Sequence, residues 1–119
     1  MLSGLVAPKA EQEIRDGQYQ VQVTGSTPIV DCVERAGVLT TVTGVLKAVS
    51  LRPTAGVPAV EADLFDGSGH LTVVFLGRRS IAGIEPGRRL IATGRVNCRE
   101  GAAMMYNPRY QLLPNPNED

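Results

Sequence analysis

The sequence has no tryptophan, one histidine, two cysteines, and five phenylalanine or tyrosine residues among 119. Each shortage excludes something. A single histidine, with no clustered cysteine or acid at metal-ligand spacing, leaves no zinc site and no histidine-based relay. Cys32 and Cys98 are too few and too far apart for a disulfide framework, and read as reduced thiols of a cytoplasmic protein. No apolar run approaches the roughly 20 residues that span a bilayer, so no membrane is expected. Met1 to Pro8 is mildly apolar but has no basic lead and is too short for a secretory core. The phosphate-cradling Gly-x-x-x-x-Gly-Lys-Ser/Thr run is missing, which excludes a P-loop motor. Net charge is also missing, with twelve basic residues against twelve acidic ones and 43% hydrophobic content. That balance belongs to a folded chain rather than a disordered one, and the length suits one domain.

The zero charge conceals a gradient. Residues 38–113 carry nine basic side chains against five acidic ones, and eight of the nine are arginine. Residues 1–37 and the last two residues are net acidic. Arginine presents a planar fork of donors that suits phosphate and stacks on bases. Arginine usage set by genome composition is the plain alternative.

The body reads as strands punctuated by glycine and proline. Val38–Leu51 is rich in β-branched residues, and Gly44 within it implies a bulge or sharp bend. Arg52 to Pro58 is a loop, because its two prolines cannot serve a central ladder. Ala59–Phe65 alternates Val60, Ala62 and Leu64 against Glu61 and Asp63. Asp66-Gly67-Ser68-Gly69 makes a tight turn into Leu71–Leu76, whose Leu71, Val73 and Phe75 face inward while Thr72, Val74 and Leu76 face outward. Arg78 to Ile84 predicts one or two helical turns. Arg88–Asn97 is a fourth strand, Arg99 to Ala102 a second hairpin turn, and Ala103–Tyr106 a fifth strand. Pro108 kinks or ends that strand, with Tyr110–Leu113 as its continuation. Upstream, Thr27 and Pro28 read as N-cap and first residue of a short helix over 28–36, and 18–24 as an extra strand. The expected organisation is an extension over 1–37 with a mobile start, a barrel over 38–113 and a frayed tail over 114–119.

Five short strands, a glycine-bent first strand and a helical link between strands three and four describe an all-β, five-stranded Greek-key barrel, the oligonucleotide/oligosaccharide-binding (OB) fold. An SH3-like barrel or small sandwich is the competitor. Val42-Thr43-Gly44-Val45-Leu46, Leu64 to Gly69 leading into Leu71–Phe75, Ile84-Glu85-Pro86-Gly87, Leu90 to Val96 and Met105 to Tyr110 together resemble the bacterial OB-fold family of nucleic-acid-binding domains. The likeness extends to the wedge domain of RecG-type branch-migrating helicases and to small stand-alone actinobacterial proteins carrying it. Arg109 departs from the wedge pattern, which more often places an acid there. The resemblance implies a non-enzymatic module without cofactor. Its partner would be single-stranded or branched nucleic acid, DNA favoured over RNA, bound weakly and without strong sequence preference.

OB domains bind single strands on the face of strands two and three, flanked by neighbouring loops. The candidate nucleic-acid-binding residues are therefore Lys47, Arg52, Phe65, Arg95, Arg99, Tyr106 and Arg109. Phe75 is in phase with Leu71 and Val73 and belongs to the core, whereas Phe65 and Tyr106 are out of phase and can offer stacking platforms. Glu61 and Asp63 face the same side and repel a polyanion unless arginines pair with them. Arg78-Arg79 and Arg88-Arg89 read as solvated surface, and Met104-Met105 as core filling. Asp66, Ser68 and His70 crowd one turn, but a turn cannot arrange a nucleophile, base and acid around an oxyanion hole. A second reading, of another class, is a protein-interaction or self-association module, with the segment 18–24 adding a strand to a barrel edge of a second chain.

Overall fold

The computed structural model describes residues 25–114. The expected strand over 18–24 and most of the expected tail lie outside the described residues. A 3₁₀ helix, Ile29–Glu34, precedes seven strands: β1 (Leu39–Leu51), β2 (Ala59–Phe65), β3 (His70–Leu76), β4 (Arg89–Arg95), β5 (Asn97–Arg99), β6 (Ala102–Tyr106) and β7 (Arg109–Leu112). They form one sheet in the order β5-β6-β3-β2-β1-β4-β7, with all pairs antiparallel except β3–β6. Among the described residues no helix is long and apolar enough to cross a membrane.

β1 organises the sheet because it pairs twice. Leu39 to Val45 pair with β4, and Val45 to Leu51 pair with β2. The change of partner falls beside Gly44, where a Cβ would lie 2.6 Å from the Phe65 carbonyl oxygen, so only glycine lets β2 approach. The register irregularity itself lies three residues further on, between Leu46 and Ala48, and leaves Lys47 as the extra residue.

Alternation then builds the core. Val42 and Leu46 from β1, Val60, Ala62 and Leu64 from β2, and Leu71, Val73 and Phe75 from β3 are all buried. They meet Leu90 and Ala92 from β4, Ala103 and Met105 from β6, and Ile29 and Cys32 from the 3₁₀ helix. Burying side chains of this size stabilises by about 1.5–3 kcal/mol each before entropy is charged against it.

Several expectations are corrected. The fourth strand divides at Val96 into β4 and β5, because Val96 turns inward to full burial and makes only an isolated bridge, to Ala36. The fifth divides at Asn107-Pro108: Asn107 has a φ of 51° and its backbone N–H donates to Val74 O, while its side-chain oxygen accepts from Leu76 N–H. Pro108 cannot continue the ladder and packs against Gly94, so β7 leaves β3 and pairs with β4 instead. The segment from Arg78 to Ile84 is not helical. A single turn closed by Ile84 N–H to Ile81 O buries both isoleucines, and Gly83, with a φ of 86°, prevents helical continuation. Pro28 is the cap of the upstream helix rather than its first residue, since its ψ of 136° is extended.

Candidate functional site

The outer face of β2, β3, β6 and β5 is a small grid fixed by register. One row runs Phe65, His70, Ala102, Arg99, because Phe65 pairs with His70, Ala102 pairs with Arg99, and His70 and Ala102 precede the parallel pair Leu71–Ala103. The next row runs Asp63, Thr72, Met104, Asn97, and the third runs Glu61, Val74, Tyr106. With strands about 4.8 Å apart, Phe65 and Arg99 are separated by about 14 Å.

Phe65 stands at one end of the first row. Its ring centroid lies 4.6 Å from that of His70, with the planes tilted by 35°. The Lys47 ammonium stands 5.7 Å from the same ring, within reach of its negative face. The bulge in β1 carries Lys47 to this position. His70 Nδ1 lies 3.0 Å from both carboxylate oxygens of Asp63. A carboxylate only accepts, so that nitrogen carries the proton. Lys47, Phe65, His70 and Asp63 thus form one continuous surface cluster.

The two acids on this face are partnered, though not as the sequence suggested for both. Arg52 Nε lies 3.8 Å from Glu61 Oε1, a long contact at an exposed arginine. Such a pair contributes at most about 1 kcal/mol, which leaves the guanidinium free to take another anion. Asp63 is met by His70 rather than by an arginine.

The seven expected binding residues do not share one surface. Lys47, Arg52, Phe65, Arg99 and Tyr106 border or occupy the grid, with Phe65 and Tyr106 at opposite corners. Arg95 and Arg109 lie on the other branch of the sheet, where Arg95 pairs with Leu39 and Arg109 with Thr93. The Arg95 guanidinium donates to Gly37 O at 2.9 Å. Arg109 borders a shallow groove with Ile91, Thr93, Tyr110 and Gln111.

Other expectations resolve by contact. Val74 was expected to face solvent, but it is buried opposite Tyr106, since β6 lies alongside β3. Arg88 and Arg89 are not solvated surface: Arg88 Nε donates to Leu113 O and Arg89 to Pro114 O, tying the end of the described chain to β4. Met105 fills the core, whereas Met104 lies half-buried on the outer grid. Phe75 is buried and meets Tyr110 edge-on.

The turn trio separates by role. Asp66 is fully buried and accepts from Ile29 N–H, Ser68 N–H, Ser68 O–H and Gly69 N–H. Ser68 Oγ accepts from Val30 N–H. Together they satisfy the first donors of the 3₁₀ helix, while His70 points to the outer grid. His70 was considered in the sequence only as a catalytic group or a metal ligand. Its pairing with Phe65 follows from the turn length, which sets the hairpin register. Among the described residues no group of three or more His, Cys, Asp or Glu could hold a metal ion.

No protein family model matches the chain, and no curated protein does. Solved structures do match. The p204 HINb domain superposes with a TM-score of 0.63 at 17% identity, covering 91% of this chain and 56% of that one. RecG bound to a three-way DNA junction superposes with a TM-score of 0.53 at 16% identity, covering 92% of this chain and 20% of that one. The chain therefore spans little more than half of the first and a fifth of the second. At this identity the likeness establishes the fold, an all-β, OB-like one, and nothing finer.

Proposed function

We propose that this chain is a non-enzymatic OB module that binds single-stranded or branched nucleic acid, DNA rather than RNA, weakly and without strong sequence preference. In this reading the run Arg89–Arg99, bent at Val96, acts as a single barrel strand, because its first half pairs with β1 and its second with β6. The five-stranded Greek-key barrel follows from treating β4 and β5 as one strand, and β6 with its kinked continuation β7 as another. The observation that carries the reading is the Phe65 ring, with the Lys47 ammonium and the His70 ring close to it and Arg99 across the same row. Base–aromatic stacking contributes about 1–3 kcal/mol per base, and flanking cations hold the backbone. DNA is favoured because one structural neighbour, RecG, is seen bound to a three-way DNA junction.

Fluorescence anisotropy with a labelled single-stranded oligonucleotide tests the proposal. Dissociation constants of about 10⁻⁴–10⁻⁶ M are expected at moderate salt. If Lys47, Arg52 and Arg99 neutralise three phosphates, log K falls against log salt with a slope of about −2. Failure to bind at tens of micromolar protein in low salt, or binding indifferent to salt, contradicts it.

A self-association reading draws on one observation. β7 ends the sheet, with Tyr110 exposed beside the groove of Ile91, Thr93 and Gln111. Among the described residues its outer edge has no partner, and an edge of this kind can accept a strand from a second copy. Light scattering during size exclusion separates the readings, since a monomer at high concentration ends the second.

A further inference from the structure

We propose that Asp63 reads the edge of the base that stacks on Phe65, and that it selects guanine over thymine. The inference rests on the reading above that Phe65 stacks a base, and it adds the identity of that base.

The oddity it explains is a carboxylate in the middle of a face meant for a polyanion. Asp63 lies two residues before Phe65 on β2 and on the same side, about 7 Å away along the strand. A base lying on the Phe65 ring extends its edge over that distance. The side chain is half-buried, 34% exposed, and His70 Nδ1 meets both oxygens at 3.0 Å. That contact fixes the plane of the carboxylate against rotation. Its register neighbours are Ala48 on β1 and Thr72 on β3, neither of them charged. A carboxylate offers about four acceptor positions, and one N–H cannot occupy them all. Asp63 is thus an oriented acceptor pair, and since the His70 side chain that faces both oxygens is 60% exposed, two adjacent donors of a base can take the place of its single N–H.

Repulsion keeps phosphates off this residue. The backbone is drawn instead along the cations at the borders, Lys47 and Arg52 beside β1 or Arg99 on β5, and the bases turn inward. What meets Asp63 is then a base edge, and an acceptor-only group discriminates sharply among edges. Guanine presents two adjacent donors, N1–H and the N2 amino group, which match two carboxylate oxygens. Cytosine and adenine each present one amino group. Thymine presents a single N–H between two carbonyl oxygens, and those oxygens face the carboxylate with like partial charge. Carboxylates accept from base amino groups by the same logic in duplex grooves.

The test compares a labelled ten-nucleotide thymine oligomer with the same oligomer carrying two central guanines, by anisotropy, on the full chain and on Asp63→Asn. On the wild type the guanine oligomer is expected to bind about 5- to 10-fold more tightly. In Asp63→Asn the thymine oligomer gains affinity, because a negative charge is gone, and the gap between oligomers closes to within about 2-fold. Equal wild-type affinities overturn the inference and leave the nucleic-acid reading standing. A variant in which both oligomers gain equally, with the gap intact, also overturns it, since Asp63 then acts only by repulsion. Absence of binding to either oligomer overturns both. If Asp63→Asn fails to fold, Asp63→Ser takes its place and is read in the same way.

Discussion

The carboxylate of Asp66 accepts a 2.9 Å hydrogen bond from the backbone N–H of Ile29, thirty-seven residues earlier in the chain. The β2–β3 turn therefore supplies the cap that the 3₁₀ helix lacks from its own residues, as Pro28 makes no side-chain cap. Because Asp66 is fully buried and holds four donors, Asp66→Ala leaves them without a partner. The expected loss is about 2–4 kcal/mol of unfolding free energy. Urea denaturation measures it, and a loss under about 0.5 kcal/mol would mean that the turn and the helix are not coupled.

Gly44→Ala places a methyl against the Phe65 carbonyl, where backbone rather than a flexible side chain must yield. About 2–4 kcal/mol of destabilisation, or failure to fold, is expected. A variant with wild-type thermal stability contradicts the crossing of β1 and β2 at this residue.

Burial pushes the Cys32 thiol up to about 11, opposed by the nearby Arg35 guanidinium and assisted by Asp66 and Asp31. The folded state therefore holds its proton more tightly than the unfolded chain, whose thiol has the ordinary value of 9.0. The unfolded state binds fewer protons between those values, so stability is full below pH 9 and falls as pH rises toward 11. The total effect is on the order of 2 kcal/mol. Urea unfolding from pH 8 upward in the wild type and in Cys32→Ala checks it, the variant lacking this part of the slope. Cys98, which is exposed, is expected to alkylate first under native conditions.

On the proposed binding face, Phe65→Ala removes the ring that Lys47 and His70 flank. Oligonucleotide affinity is expected to fall by about 1–3 kcal/mol with the salt slope unchanged. Arg99→Ala should instead lower the slope by about 0.7. Arg88→Ala serves as the contrast: it frees the Leu113 carbonyl and costs some stability, but leaves oligonucleotide binding in place. Equal losses in all three would point to unfolding rather than to a site.

Much of this architecture could be read from side-chain periodicity. Ala59–Phe65 emerged with its observed ends because one face is apolar, the other charged, and glycine and proline bound it. Phe75 was placed in the core by phase alone. What could not be read depended on contacts distant in sequence. Val74 has the phase of an exposed residue and is buried only because β6 arrives alongside. The break at Pro108 was legible, but the pairing of β7 with β4 was not, since no local pattern links Pro108 to the Gly94 it packs against. The binding candidates followed the same rule. Phe65 was found by phase, while its neighbours Lys47 and His70 depend on a bulge and a hairpin register. Arg95 and Arg109 look equivalent to Arg99 in sequence, but strand order assigns them to another branch of the sheet.

The most direct test of the central claim is a backbone amide NMR titration with a single-stranded DNA oligomer. The account predicts the largest shift changes at Lys47, Phe65, His70, Thr72, Met104 and Arg99, with little change at Ile91, Thr93, Arg109 and Gln111. Changes concentrated on the β4–β7 branch, with the Phe65 row silent, would contradict it.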